Sequence, residues 1–162
     1  MPTAPCIALT QGSHLKLSAD IIEQRLSHWP VARLATLNTS GQPHQVPIVF
    51  VWRAGKIWSP VDGKPKHGTP LSRVRNALAN PAASILLDQY DEDWSQLWWL
   101  RVDVKLEIIY LDGANEITRS EAQEAIAGLK QKYPQYKTTA VLNEPPTLLA
   151  MTPIKYRSWR AK

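Results

Sequence analysis

The order of hydrophobic periodicities predicts an α+β fold, mainly β, in which consecutive antiparallel strands curl toward a barrel and helices flank them. Three observations carry this reading. Trp98 to Tyr110 alternates without a break, with Trp98, Leu100, Val102, Val104, Leu106 and Ile108 on one face and Trp99, Arg101, Asp103, Lys105 and Glu107 on the other. That is the pattern of an antiparallel strand with one wet face. Shorter apolar runs follow one another with only turns between them. The helical patterns are interspersed among groups of strands rather than alternating with them, which argues against a doubly wound parallel sheet.

Ser18 to Trp29 predicts a short helix, with Ser18 as N-cap, Ile21, Ile22, Leu26 and Trp29 on one side, and Pro30 as the stop. Val31 to Leu37 is apolar and β-branched enough for a buried strand, and Asn38-Thr39-Ser40-Gly41 is a turn. Gln45 to Trp52 reads as the next strand, closed by the hairpin Arg53-Ala54-Gly55-Lys56 onto Ile57 to Ser59. A loop from Pro60 to Pro70 then leads into a helix with Thr69 as N-cap, Pro70 at its first position, and Leu71, Val74 and Leu78 on one face. Asn80-Pro81 ends that helix, and Ala83 to Gln89 is a further buried strand. After the acidic loop and the long Trp98 strand comes a helix opened by the capping box Thr118-Arg119-Ser120-Glu121 and carrying Ala122, Ala125, Ile126, Leu129 and Tyr133. Pro134 terminates it, and Leu148 to Trp159 is the last strand.

At 162 residues, 44% of them apolar, the chain supports a single domain, 1–162, with residues 1–17 as an N-terminal arm. Its one cysteine, Cys6, excludes an internal disulfide and a cysteine metal cluster, so a cytoplasmic location is the expectation. No apolar run reaches the ~20 residues of a membrane span, and residues 1–17 lack a signal-peptide core. The formal charge of +5 favours an anionic partner. Seven Trp and five Tyr stand against a single Phe, which places large rings where one edge stays polar, as in pockets and interfaces.

The familiar catalytic signatures are absent: there is no G-x-S-x-G, H-E-x-x-H or G-x-G-x-x-G. Ser13-His14-Leu15-Lys16 matches S-x-x-K without its companion motifs. The four histidines are too dispersed for a local metal motif. The loop Gly63 to Gly68 does place Lys64 and Lys66 just before a helix start, with Arg73 one turn into that helix. Unpaired helix N–H groups favour an anion there, so the loop is either a phosphate clamp or a solvated basic loop. Trp98 and Trp99 are adjacent in a strand and point to opposite faces, so one of them is core and the other is exposed or covered. The face of Arg101, Asp103, Lys105 and Glu107 is either a self-compensating solvated ladder or a subunit contact. Lys155, Arg157, Arg160 and Lys162 around Tyr156 and Trp159 are either a charged edge strand or a stacking surface for nucleic acid.

The blocks Val31 to Leu37, Asn38 to Phe50, Ile57-Trp58-Ser59 and Asp62-Gly-Lys-Pro-Lys66 together resemble the pyridoxamine 5'-phosphate oxidase-like split β-barrel flavoproteins. Asp88-Gln-Tyr-Asp-Glu-Asp-Trp94-Ser-Gln-Leu-Trp98-Trp99 is similar to the subgroup that uses a deazaflavin. The resemblance implies a six-stranded antiparallel split β-barrel of the FMN-binding type, forming a homodimer with FMN or a deazaflavin coenzyme (F-420) in a groove between subunits. By position, Val46, Pro47, Ile48 and Val49 would line the ring system. Trp58 and Ser59 would fall at an aromatic-hydroxyl pair near the phosphate, and Lys64 and Lys66 at the phosphate itself; Arg73, by its place near the helix start, and Trp99, by its strand face, join the candidate cofactor-binding residues. Two departures stand out. Pro153 to Arg157 lacks the histidine that holds substrate in true pyridoxamine phosphate oxidases, and Val102 or Asp103 replaces the family's glutamine near the ring.

The resulting expectation is an oxidoreductase that passes hydride between its cofactor and a small organic substrate, the chemistry belonging to the cofactor. No general acid stands out, Tyr90 and His44 being the candidates. A non-catalytic flavin- or haem-binding barrel is the alternative. A single-stranded nucleic-acid-binding barrel ranks below both.

Overall fold

The computed structural model describes residues 16–62 and 71–162. A helix α1 (Ala19–His28) precedes four strands: β1 (Ala32–Leu37), β2 (Pro43–Ile48), β3 (Val51–Arg53) and β4 (Lys56–Pro60). Then come α2 (Ser72–Ala79), β5 (Ala82–Gln89), the long β6 (Trp98–Tyr110), α3 (Glu116–Lys132) and β7 (Thr147–Arg160). All ladders are antiparallel, and the seven strands lie in the order β2-β1-β5-β6-β7-β4-β3.

The two ends of that order, β2 and β3, are consecutive in the chain and separated only by Val49 and Phe50. Three Cα steps span at most about 11 Å, so the sheet must roll until its edges nearly meet. The sequence predicts one strand from Gln45 to Trp52, whereas the structure divides it, giving seven strands among the described residues where six are expected. The break has a physical cause. Ile48 is the last β2 residue paired to β1, opposite Ala32, and Val51 is the first paired to β4, opposite Trp58. Phe50 belongs to neither ladder, and its backbone is satisfied from α3. Its N–H donates to the Tyr133 hydroxyl at 3.0 Å, and its carbonyl accepts from that hydroxyl at 2.8 Å and from Lys132 Nζ at 3.0 Å.

Two apolar clusters hold the fold. The barrel interior contains Leu34, Phe50, Ile57, Ile85, Leu87, Leu100, Val102, Leu149 and Met151, closed at one end by Leu26 of α1. The second cluster lies on the outer face, where Ala122, Ala125 and Leu129 of α3 cover Val51, Trp58, Leu148 and Ala150. Strand alternation explains how β7 serves both: Leu149 and Met151 point inward, and Leu148 and Ala150 point out under α3.

Helix starts depart from the sequence expectation. α3 begins at Glu116, with Asn115 as N-cap accepting from the Thr118 amide at 2.9 Å, so Thr118 lies inside the first turn instead of capping it. The Asn oxygen satisfies an amide that would otherwise be unpaired at the helix start. α2 begins at Ser72; the expected cap Thr69 and Pro70 lie outside the described residues. The Arg53–Lys56 hairpin is as expected, its central Ala54 and Gly55 both at positive φ, 50° and 70°.

Candidate functional site

A groove of about 230 Å³ opens where the end of β2, the end of β4 and the start of α2 converge. Pro47, Ile48 and Val49 form one wall, Ser59 and Pro60 another, and Val31, Asp62 and Arg73 complete it. Each element is fixed by packing. β2 is held by the full β1 ladder, and α2 is tied to β1 by Asn76 Nδ2, which donates to buried Thr36 Oγ1 at 3.0 Å. Val74 and Ala77 bury the helix against the barrel, so Arg73, one position away, is aimed at the groove.

The groove is apolar on the β2 side and cationic at α2. Among the described residues, Arg73 Nε is buried with no hydrogen-bond partner. Burial pushes the Arg73 guanidinium below its ordinary value, an effect that the charge of Asp62 and then Tyr136 offsets. Burial, the Asp62 carboxylate and the nearby Tyr133 push the Tyr136 phenol up to about 12, against the pull of Arg73. A half-buried arginine whose Nε–H is unpaired, next to an apolar wall, fits a ligand that joins an anionic group to a flat apolar one.

Of the residues singled out in the sequence, the structure brings Pro47, Ile48, Val49, Ser59 and Arg73 into this groove. It places others elsewhere. Val46 turns inward, opposite Leu34, and packs against the barrel core. Trp58, next to Ser59, points to the other face of β4 and is wholly buried under α3, its Nε1 donating to the Arg53 carbonyl at 3.2 Å. Trp58 does not line the groove. Lys64 and Lys66 lie outside the described residues. Val31, Pro60 and Asp62 are the groove residues that pattern reasoning missed; Asp62 opens the very loop that drew attention for its lysines.

Trp99 belongs to a second concavity, of about 420 Å³, walled by Leu86, Trp99, Tyr90 and Trp159 with Asp88 and Arg101 at its border. The expectation about the tryptophan pair holds. Trp98 is core, set edge-on to Trp29 with ring centres 4.6 Å apart, and Trp99 is 36% exposed on the outer face. Ladder pairing runs Pro47, Arg33, Leu86, Arg101 across β2, β1, β5 and β6. Pro47 and Leu86 are therefore two strand spacings apart, about 10 Å, with the Arg33–Asp88 ion pair between the two concavities. On the charged face of β6 the charges compensate one another: Asp103 meets Arg101 at 3.3 Å and Arg157 at 2.7 Å, and Lys105 meets Glu107 at 3.2 Å. Val102 is buried in the barrel, so neither it nor the paired Asp103 stands free to contact a ring. Tyr90 is 86% exposed at the second concavity, and His44, half-buried on β2 with its Nδ1 unpartnered, does not line the groove.

A rolled antiparallel sheet with a cationic, partly apolar groove at the junction of its two edges defines a split barrel. A family model of pyridoxamine 5'-phosphate oxidase matches residues 19–160, and the chain belongs to that family. No curated protein matches it in sequence. Among solved structures, a FAD-binding protein from Mesorhizobium loti superposes with a TM-score of 0.68 at 18% identity, covering 93% of this chain and 100% of that one. HutZ, the heme storage protein from Vibrio cholerae, gives 0.62 at 16% identity over 90% and 96% of the two chains. An F420 reductase gives 0.54 at 21% identity over 83% and 94%. At these identities the likeness is one of fold.

Proposed function

We propose that the protein is a homodimeric oxidoreductase that binds FMN or a deazaflavin coenzyme in the Pro47–Arg73 groove and acts on a small organic substrate. The observation that carries this reading is the unpartnered, buried Arg73 Nε beside the apolar strand end Pro47, Ile48 and Val49. Family membership and the FAD-binding and F420 reductase neighbours support it. When bound, the cofactor supplies hydride chemistry. Arg73 holds the phosphate, with Lys64 and Lys66 as further cations from the adjoining loop. Pro47 to Val49 exclude water from one edge of the ring.

The test is a titration of the purified chain with FMN, FAD and the deazaflavin coenzyme, followed by visible absorbance. One of the three binds, and Arg73→Met weakens it by about 1.5–3 kcal/mol, the loss expected for a charge-assisted hydrogen bond. Lys64→Ala combined with Lys66→Ala costs about 2–4 kcal/mol, with some non-additivity. Binding of none of the three, with haem bound instead, assigns the protein to the haem-binding reading. Light scattering that finds only an 18.2 kDa monomer at micromolar concentration removes the intersubunit groove.

A further inference from the structure

A third pocket, of about 200 Å³, lies where α1 meets the start of β6 and the end of β7, and two arginines line it. The Arg25 guanidinium sits 4.4 Å from the centre of the Trp98 ring and 5.5 Å from that of Trp29. Arg160 is the ladder partner of Trp98 on β7, which brings a second guanidinium to the same rim. Gln89, Ser95 and Gln96 add polar atoms, and no described carboxylate lines the pocket. Asp93, bonded to Ser95 and Gln96, is exposed outside it. Neither arginine takes part in an ion pair among the described residues. Arg25 Nε is buried without any hydrogen-bond partner.

A buried, unanswered guanidinium donor costs free energy that an anionic acceptor recovers. Cation–π contacts with two indoles fix Arg25 in place, so little ordering remains to be done when a ligand arrives. Gln89 Oε1 accepts from Trp98 Nε1 at 3.0 Å, which leaves the Gln89 NH2 group as a further donor. Gln89, Leu97 and Trp98 also border the aromatic concavity of Trp99 and Trp159, so the two hollows adjoin.

We propose that Arg25 and Arg160 form a binding site for the oxyanion head of an organic anion whose planar apolar body lies in the adjoining concavity against Trp99 and Trp159. This site is separate from the Arg73 groove and does not rest on the cofactor reading. The probes are 2-naphthoate, 2-naphthyl phosphate and the neutral 2-naphthalenemethanol, titrated into the full chain by calorimetry and by the fluorescence of the tryptophans. At least one anion binds roughly tenfold or more tightly than the alcohol, the tighter of the two naming carboxylate or phosphate as the head. Arg25→Gln and Arg160→Gln each weaken that anion roughly tenfold, with flavin affinity unchanged. Arg160→Gln, at an exposed strand end, keeps the test open should Arg25→Gln fail to fold. Equal binding of alcohol and anions, unchanged affinity in the Arg160 variant, or no binding of either anion at about 1 mM overturns the proposal.

Discussion

The outer face of the sheet has two halves that differ in everything except the hydrogen-bonding pattern beneath them. Over β3, β4 and the start of β7 it is covered by α3, and Thr147 to Met151 are buried without interruption because both sides of the strand are inside. Over β1, β5, the start of β6 and the end of β7 it is bare, and the strands alternate between buried and wet positions. On the covered half an indole is packing material, as Trp58 is. On the bare half an indole, Trp99, lines a concavity beside a row of charges. The same residue type on neighbouring parts of one sheet therefore has two jobs, decided by whether a helix lies over it.

The sharpest way to break this comparison is to truncate one indole from each half. Trp58→Ala opens a cavity that α3 cannot fill and should cost about 3–5 kcal/mol in urea unfolding. Trp99→Ala removes a ring already 36% exposed and should cost about 1 kcal/mol or less. Equal losses would mean that the two halves are not energetically distinct.

A smaller effect is expected where α3 supports the strand break. Tyr133→Phe keeps the ring but leaves the Phe50 amide without its acceptor, and should cost about 1–3 kcal/mol, read from the denaturation midpoint. No change would show that the break between β2 and β3 is held by something other than the Tyr133 hydroxyl.

The mildest perturbation is pH. Burial and then the charge of Arg53 push Lys132 down to about 8 from 10.5, so the folded chain releases this proton before the unfolded chain does. Stability therefore rises from about pH 8 toward pH 10, where the unfolded state binds more protons. Burial pushes Tyr133 up to about 12 from 10.0, and Tyr136 likewise, so their contribution is complete below about pH 10 and is lost toward pH 12. A plot of melting temperature against pH should climb and then fall. Lys132→Met should flatten the climb and leave the fall, and a wild-type profile without a climb would remove the α3 lysine from this account.

Much of the fold was legible because its signals are local. The β6 alternation, the Asn38–Gly41 turn, the Ala54-Gly55 hairpin and the proline stops each depend on a few neighbouring residues, and each appears where the pattern puts it. The groove was half legible: Pro47, Ile48, Val49, Ser59 and Arg73 were in view, but Asp62 was hidden behind the lysines that follow it. Trp58 was misassigned because adjacency to Ser59 in sequence places the two side chains on opposite faces of β4, and only the position of α3 says which face is covered.

The sequence by itself determined the element types, the two-faced character of β6 and the family, since these follow from periodicity and from blocks of residues read in order. Tertiary structure alone decided where the strand from Gln45 to Trp52 breaks, which indole is core, and that Arg25 and Arg160 share a pocket. The physical reason is range. Backbone propensity and alternation act over a few residues, whereas the Phe50–Tyr133 hydrogen bonds and the Arg25–Trp98–Arg160 cluster join positions many tens of residues apart, and no local pattern records such pairings.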